Sequence, residues 1–285
     1  MLIGAHVSTA GGVQKSVARA EEIGAECIQV FASSPRAWAF KPITDEAAES
    51  FRSEIERAGM GATVLHAIYL VALGAADEAL YERSVDSLGL HLRAAGQLGA
   101  LGLIFHPASH RGQGFDGVFD QFVTGVQRVL DCAPGDALLM LETSAGSGDH
   151  IGSKFSDLGR IIKAVDSPRL AVCLDTQHVW AAGYDVVDSD GLNAAMDEFD
   201  REIGLDRLAA VHANDSMKSK GAAVDRHDNI GDGLIGKEGF LNVMRHPAFK
   251  NVPFYLEVPG ADKKGPDKPN VDALKAIRTE AGVTA

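Results

Sequence analysis

The segment AVCLDTQHVWAAGYD, residues 171–185, runs from apolar residues into a carboxylate, Asp175, and sets an imidazole, His178, three positions later. Neither group is buried cheaply at the end of an apolar run unless something compensates it. The arrangement recurs: His66, His106, Glu142, His212 and Glu257 each stand at or just after the end of a different apolar stretch. His6 ends the first such stretch and is left outside the set. A single strand-end histidine or acid is usually solvated or satisfied locally. Six of them converging would repel and desolvate one another unless a cation held them together. His178 and the Asp225/His227 pair of the DRH segment bring the ligand-type side chains to nine. Imidazole with carboxylate, and no cysteine, is the donor set of reactive Zn²⁺, Mn²⁺ or Fe²⁺ rather than of a structural zinc finger. A tetrahedral ion uses three or four such groups, so nine suit two or three ions.

The elements that must position these groups are short and apolar. Candidate strands are residues 2–8, 27–33, 62–67, 101–107, 137–144, 170–176, 208–215 and 253–259. Helical patterns lie between them. The clearest covers 77–98, with Leu80, Ser84, Leu88, Leu92 and Ala95 on one face, and another begins at SVARAEEIGA with Gly24 as its stop. Eight apolar strands alternating with helices predict parallel βα units closed into a (β/α)₈ barrel, with the ligand-type residues on the C-terminal face where such folds place their chemistry. An open doubly wound sheet is the rival, but AGSGDHIG fits neither the dinucleotide fingerprint nor the phosphate-loop spacing.

Bulk properties narrow the class. The 285 residues contain no linker-like tract, so a single barrel domain over 1–285 is expected, and 46% hydrophobic residues suffice for its core. No run approaches the roughly 20 apolar residues of a membrane span, and MLIGAHVS opens without a secretion-type leader. The three cysteines, Cys27, Cys132 and Cys173, are widely spaced, which with the rest predicts a cytoplasmic protein holding reduced thiols. A net charge of −12 weighs against a simple electrostatic nucleic-acid binder. His91 within a helix, His246 before Pro247, and His110 and His150 in polar loops read as ordinary histidines, and Cys173 as packing.

Together the motifs resemble the endonuclease IV family of apurinic/apyrimidinic endonucleases, almost end to end. GAHVSTAGG, FASSPRAW, LHAIYLVALG, IFHPASHRGQG, LETSAGSGDHIG, CLDTQHVWAAGYD, HANDSMKSKGAAVDRHDNIGDGLIG and YLEVPG follow in family order. The resemblance implies a TIM barrel of the xylose-isomerase-like superfamily with three zinc ions, manganese being possible at some positions. His66, His106 and Glu142 would hold the first ion, Glu142 bridging to a second completed by Asp175, His212 and Glu257. His178, Asp225 and His227 would hold the third. The implied partner of this monomer is duplex DNA containing an abasic site. The implied reaction is that of a metal-dependent deoxyribonuclease IV: hydrolysis of the phosphodiester 5′ to the lesion, leaving a 3′-hydroxyl, with Glu142 as the catalytic bridge and water activated between the first two metals. Arg36 and Tyr69 match positions that enter DNA. Gln177 inside the DTxH segment and the LEVPGADKKGPD tail are the least stereotyped parts.

Three divalent ions would carry six positive charges against four ligand carboxylates, Glu142, Asp175, Asp225 and Glu257, so an acidic protein can present a positive cleft. Arg36, Lys218, Lys220 and Arg226 are candidates to extend that field. A metal-dependent sugar isomerase or epimerase on the same barrel is the alternative. It uses Glu142, Asp175, His212 and Glu257 but leaves His66, His106, His178, Asp225 and His227 without a task. A metal-storing or metal-sensing protein is a weaker one, since ligands spread over a whole barrel face are a costly way merely to hold metal.

Overall fold

The computed structural model describes residues 1–285. Eight parallel strands close into a barrel: β1 (Ile3–His6), β2 (Ile28–Phe31), β3 (Thr63–His66), β4 (Gly102–Phe105), β5 (Leu138–Glu142), β6 (Leu170–Asp175), β7 (Leu208–His212) and β10 (Phe254–Leu256). A small antiparallel pair, β8 (Asp215–Ser216) and β9 (His227–Asp228), lies between β7 and β10 in the chain. The helices are α1 (Lys15–Glu22), α2 (Asp45–Ala58), α3 (Glu78–Leu98), α4 (Phe115–Cys132), α5 (Phe155–Val165), α6 (Thr176–Ala182), α7 (Ser189–Glu202), α8 (Gly236–Arg245) and α9 (Lys268–Glu280). The barrel order is β1-β10-β7-β6-β5-β4-β3-β2, so each barrel strand pairs with the next barrel strand along the chain and β1 closes on β10. None of the helices is long and apolar enough to cross a membrane.

Helix limits follow local chemistry. Thr44 and Asp77 cap α2 and α3 by accepting from Ala47 N and Leu80 N. Gly99 ends α3 in the left-handed region at φ 68°, a conformation that other residues resist. On α3, Ser84, Leu88, Leu92 and Ala95 of the expected face are buried, and Leu80 in the first turn is half-buried.

The barrel is filled by strand periodicity. Successive strand residues point to opposite faces, and the two sets pack separately. Ile28, Leu65, Leu103, Phe105, Leu139, Leu141, Val172, Leu174 and Val211 join the large core under the helices. Cys27, Val64, Ile104, Met140, Ala171, Cys173, Ala210 and Tyr255 form a second, smaller core inside the barrel. Two residues beyond members of this inner core come Gln29, His66, His106, Glu142, Asp175, His212 and Glu257, and His6 at the end of β1 completes the ring. A period of two therefore lifts one polar side chain from each strand position into a single tier at the C-terminal mouth.

Every strand is shorter than the stretch expected for it, and three of the differences shape the site. The stretch 208–215 divides: β7 stops at His212, and Asp215 starts the small pair. The Asp215 carboxylate accepts from the backbone of Ser216, Gly231, Gly233, Ile235 and Gly236. A Cβ on Gly233 would stand 2.4 Å from Asp215 Oδ1, so only glycine lets the loop approach. The stretch 170–176 ends one residue early because Asp175 caps α6, its Oδ1 accepting from His178 N at 2.9 Å. Finally, β10 stops at Leu256, leaving Glu257 just past the strand.

Candidate metal centre

All nine ligand-type residues come together at the C-terminal mouth. Glu142 sits at the centre of the first group, fully buried. Its Oε2 lies 2.9 Å from His106 Nε2 and 3.2 Å from His66 Nε2. Its Oε1 faces the other way, 2.9 Å from His212 Nδ1 and 3.4 Å from His178 Nδ1. One carboxylate thus addresses two groups of imidazoles with two different oxygens. Beyond it, His212 Nδ1 is also 3.4 Å from Glu257 Oε2 and 3.8 Å from Asp175 Oδ2.

Asp225 and His227 arrive from the loop and strand after β8. The two are joined by a 3.4 Å contact from Asp225 Oδ1 to His227 Nε2, while Asp225 Oδ2 lies 3.4 Å from His178 Nε2. Pairing of Ser216 with His227 across β8 and β9 fixes this approach. Asp175 belongs to both neighbourhoods, with Oδ2 3.6 Å from His227 Nε2. Capping explains the dual role: by accepting from His178 N, Asp175 holds the first turn of α6 over its own carboxylate.

Donor atoms gather in three groups, each with its atoms within 4.8 Å of one another: His66, His106 and Glu142; Glu142, Asp175, His212 and Glu257; and Asp175, His178 and His227. The last differs in membership from the expected third set, with Asp175 in place of the half-exposed Asp225, which adjoins the group through its two histidines. A space of about 50 Å³ borders His106, His178 and Asp225. His227 Nε2 is buried with no hydrogen-bond partner. An orphaned imidazole nitrogen beside carboxylates, in a nitrogen and oxygen donor set, fits Zn²⁺ or Mn²⁺.

The electrostatics point the same way. Burial works to raise the Glu142 and Glu257 carboxyls, but the surrounding imidazoles, His106 and His212 for Glu142 and His212 and His6 for Glu257, hold both well below the usual range. Burial works to lower His178, and Asp175, Asp225 and Glu142 outweigh it, holding the ring well above its ordinary value. Burial also works to lower His212, and Cys173, Glu257 and Glu142 outweigh it, holding that ring well above its ordinary value. Asp225 is lowered to about 2, burial being overcome by His178 and His227. Acids and imidazoles here compensate one another. No lysine or arginine pairs with any of the four carboxylates.

The profile of a family described as a xylose isomerase-like TIM barrel matches residues 17–280. A probable endonuclease 4 from Chloroflexus aurantiacus is 37% identical over 276 residues, spanning 96% of this chain and 97% of the relative. A second, from Methanoculleus marisnigri, is 36% identical across 97% of this chain and 99% of its own. The crystal structure of endonuclease IV from Thermus thermophilus superposes with a TM-score of 0.87 at 36% identity, covering 98% of this chain and all of that one (100%). The chain belongs to the endonuclease IV family. Its members are metal-dependent nucleases of the hydrolase class that serve DNA repair. A D-tagatose 3-epimerase-like protein superposes at TM-score 0.73 with 17% identity, a likeness of fold alone.

Endonuclease IV motifs that the chain carries outside the nine residues also find their places. Tyr69 is 52% exposed. Its ring stands 5.6 to 5.8 Å from those of Phe31, His66 and His106. Tyr69 N donates to Pro35 O at 3.0 Å, tying its loop to the one bearing Arg36, which is exposed and unpaired. Lys220, a candidate to extend the cleft's positive field, is paired with Asp185 and lies over the Trp180 ring. Gln177, the variable residue of the DTxH segment, donates to Val224 O at 3.0 Å and so ties α6 to the loop carrying Asp225. His91 is buried between Ser33 Oγ and Ser87 O, and His150 is exposed, as ordinary histidines. His110, read as an ordinary loop histidine, is half-buried, its Nδ1 accepting from Gly114 N.

Sequence reasoning missed four residues. His6, set aside, lies 3.2 Å from Glu257 Oε1, and burial keeps its pKa below the ordinary value. Gln29 reaches both Glu257 and His212. Asn214 donates to Asp175 Oδ2 at 2.7 Å and accepts from Glu257 N at 2.8 Å. Thr143 accepts from Asp175 N at 2.9 Å through its hydroxyl, and its carbonyl lies 2.8 Å from His178 Nδ1. Such contacts orient ligands without joining them.

Proposed function

We propose that the protein hydrolyses the phosphodiester 5′ to abasic sites in duplex DNA, leaving a 3′-hydroxyl, with three zinc ions held by the nine residues above. It does so as a monomer in the cytoplasm, where buried, unpaired thiols are at home. The observation that carries the reading is the convergence of His178, Asp225 and His227 beside the Glu142 cluster. A sugar isomerase has no use for that third group.

His66, His106 and Glu142 would hold one ion, Glu142, Asp175, His212 and Glu257 a second, and His178, Asp225 and His227 a third, with Asp175 adjoining. Bound there, divalent ions supply Lewis-acid polarisation of a phosphoryl group and acidify water. The chain supplies the rest. Glu142 aligns two ligand groups through opposite oxygens, so their separation is set by one rigid side chain. Beside them opens a cavity of about 570 Å³, lined by Phe31, Pro35 and Tyr69 together with Thr9, Ser33 and Ser34. A lining of apolar groups and hydroxyls suits a sugar that has lost its base. Tyr69, with its exposed ring, and Arg36 enter the duplex and fill the gap left by the missing base. Lys218 and Arg226, both exposed, run along the backbone.

The test is direct. Zinc-loaded protein should nick a duplex bearing one abasic site on the 5′ side and leave aldoses and ketoses unchanged. Steady isomerisation of a free sugar with no nicking would overturn the reading.

A further inference from the structure

In the tier of eight side chains at the barrel mouth, Gln29 alone is neither acid nor imidazole. It is completely buried, in a strand whose other residues are Ile28, Val30 and Phe31. An apolar residue of similar length would fill the space without the desolvation that an amide incurs. The amide spends its capacity on two ligands of one proposed metal and on His6, whose Nδ1 stands 2.9 Å from Gln29 Nε2. Gln29 Nε2 donates to Glu257 Oε1 at 2.5 Å, and Gln29 Oε1 lies 2.7 Å from His212 Nε2.

These two contacts fix each other. An ionised carboxylate only accepts, so the NH₂ end of Gln29 must face Glu257, and the amide oxygen is thereby turned to His212. An amide oxygen also only accepts, so His212 Nε2 must carry the ring proton. In the neutral ring the lone pair is then on Nδ1. That is the atom surrounded by Glu142 Oε1, Glu257 Oε2 and Asp175 Oδ2, at 2.9, 3.4 and 3.8 Å. On the carboxylate side, Glu257 Oε1 is occupied by Gln29, with His6 Nδ1 3.2 Å away, leaving Oε2 to face His212 Nδ1.

We propose that Gln29 is a positioning residue for the metal held by Asp175, His212 and Glu257: one amide sets the tautomer of His212 and the rotation of Glu257. The proposal rests on the metal reading above. Its reach is unusual in topology, because β2 carries Gln29 past β1 to ligands borne by β7 and by the end of β10. Three separate parts of the barrel are thereby locked to one coordination geometry.

Metal-free wild type and Gln29→Leu should be titrated with zinc against a chelator of known affinity. Wild type should fill three sites. In the variant one site should weaken by about 10- to 100-fold, the usual effect of losing such a partner, while the others hold their affinity. Unchanged affinity at every site of a folded variant would overturn the role of Gln29 alone. A wild type that takes up fewer than two ions would overturn the metal reading and Gln29 with it. Should Gln29→Leu fail to fold, wild type decides by ¹⁵N-histidine spectra of the zinc-loaded protein, with His212 assigned through His212→Gln. A proton on His212 Nε2 supports the proposal, and a proton on Nδ1 overturns it.

Discussion

The two ends of the barrel handle charge in opposite ways. At the N-terminal end, Glu26 receives both Arg278 guanidinium nitrogens at 2.6 and 2.9 Å, Lys275 at 3.2 Å and the backbone N of Ile3 at 2.8 Å. Every charge in that cluster has a partner within the chain. At the C-terminal end four carboxylates and six imidazoles, His6 included, face one another with no lysine or arginine between them. Their mutual compensation depends on protonated rings, and rings that are to bind metal must give those protons up. One end is finished by the sequence, while the other is completed by what it binds. The first should govern stability and the second activity.

The largest effect should come from the residue that links two metal groups. Glu142→Gln keeps the side-chain shape but removes the charge shared by both, so cleavage of abasic duplex should fall by several orders of magnitude in a protein that still folds. A variant with near-normal turnover and a native circular dichroism spectrum would dissolve the contrast between the two ends. His227→Ala comes next. Loss of one ion forfeits several kcal/mol of charge stabilisation in the transition state. The variant should hold one zinc fewer, still bind abasic DNA, and cleave it on the order of a hundredfold more slowly. Full zinc content with wild-type nicking would remove the third group from the mechanism.

Arg278→Ala probes the finished end. It should cost about 2 kcal/mol, the range for hydrogen bonds to a charged group, with activity per folded molecule unchanged. The sign of its pH dependence follows from Glu26, whose carboxyl is pulled below its ordinary value by Arg278 against the effect of burial. A depressed carboxyl stabilises the fold above its unfolded pKa of about 4.3 and loses that contribution as pH falls through the folded value. The gap in Tm between wild type and Arg278→Ala should therefore close in acid. Chelated protein should show the reverse trend at the other end. His178 and His212, raised in the metal-free state, stabilise it below about pH 6.5 and stop doing so as pH rises through their folded values. The gap in Tm between zinc-loaded and chelated protein should then widen in alkali; a gap that is flat with pH would argue against proton compensation in the empty centre.

The smallest effect belongs to the rim. Replacing Arg36 and Tyr69 together by alanine should weaken binding to abasic duplex by roughly tenfold, about 1.4 kcal/mol, without altering zinc content. Unchanged affinity would leave them as loop residues.

Much of the site was legible because a period of two repeats in every strand. Ile104 to His106, Met140 to Glu142 and Cys173 to Asp175 are each one step of that period, and each ends on a residue type that advertises metal chemistry. Gln29 obeys the same rule, two beyond Cys27, yet an amide advertises nothing by type. A buried polar residue inside the strand CIQVF was the available signal. His6 was passed over for the opposite reason: a first strand ending in histidine looks like any solvated terminus until β1 closes on β10 and brings Glu257 alongside. The division of 208–215 into β7 and β8 was illegible locally. It depends on Asp215 gathering backbone N–H groups from residues 231–236, contacts that no nearby pattern encodes.

The inner core also decides how the enzyme meets oxidants. Cys173 pairs in register with Glu142, directly beneath the metal tier, and is sealed from solvent, which pushes its thiol up to about 11. Sulfur is a soft donor that would draw zinc away from nitrogen and oxygen if it ionised. Protonated and enclosed, Cys173 neither competes for the ion nor offers a thiolate to peroxide, and Cys27 shares that shelter. Only Cys132, exposed at the end of α4, stands where a thiol reagent can reach it. One sulfhydryl should react promptly in the native protein and all three after unfolding, so the catalytic face carries no reactive thiol that oxidation could turn against it.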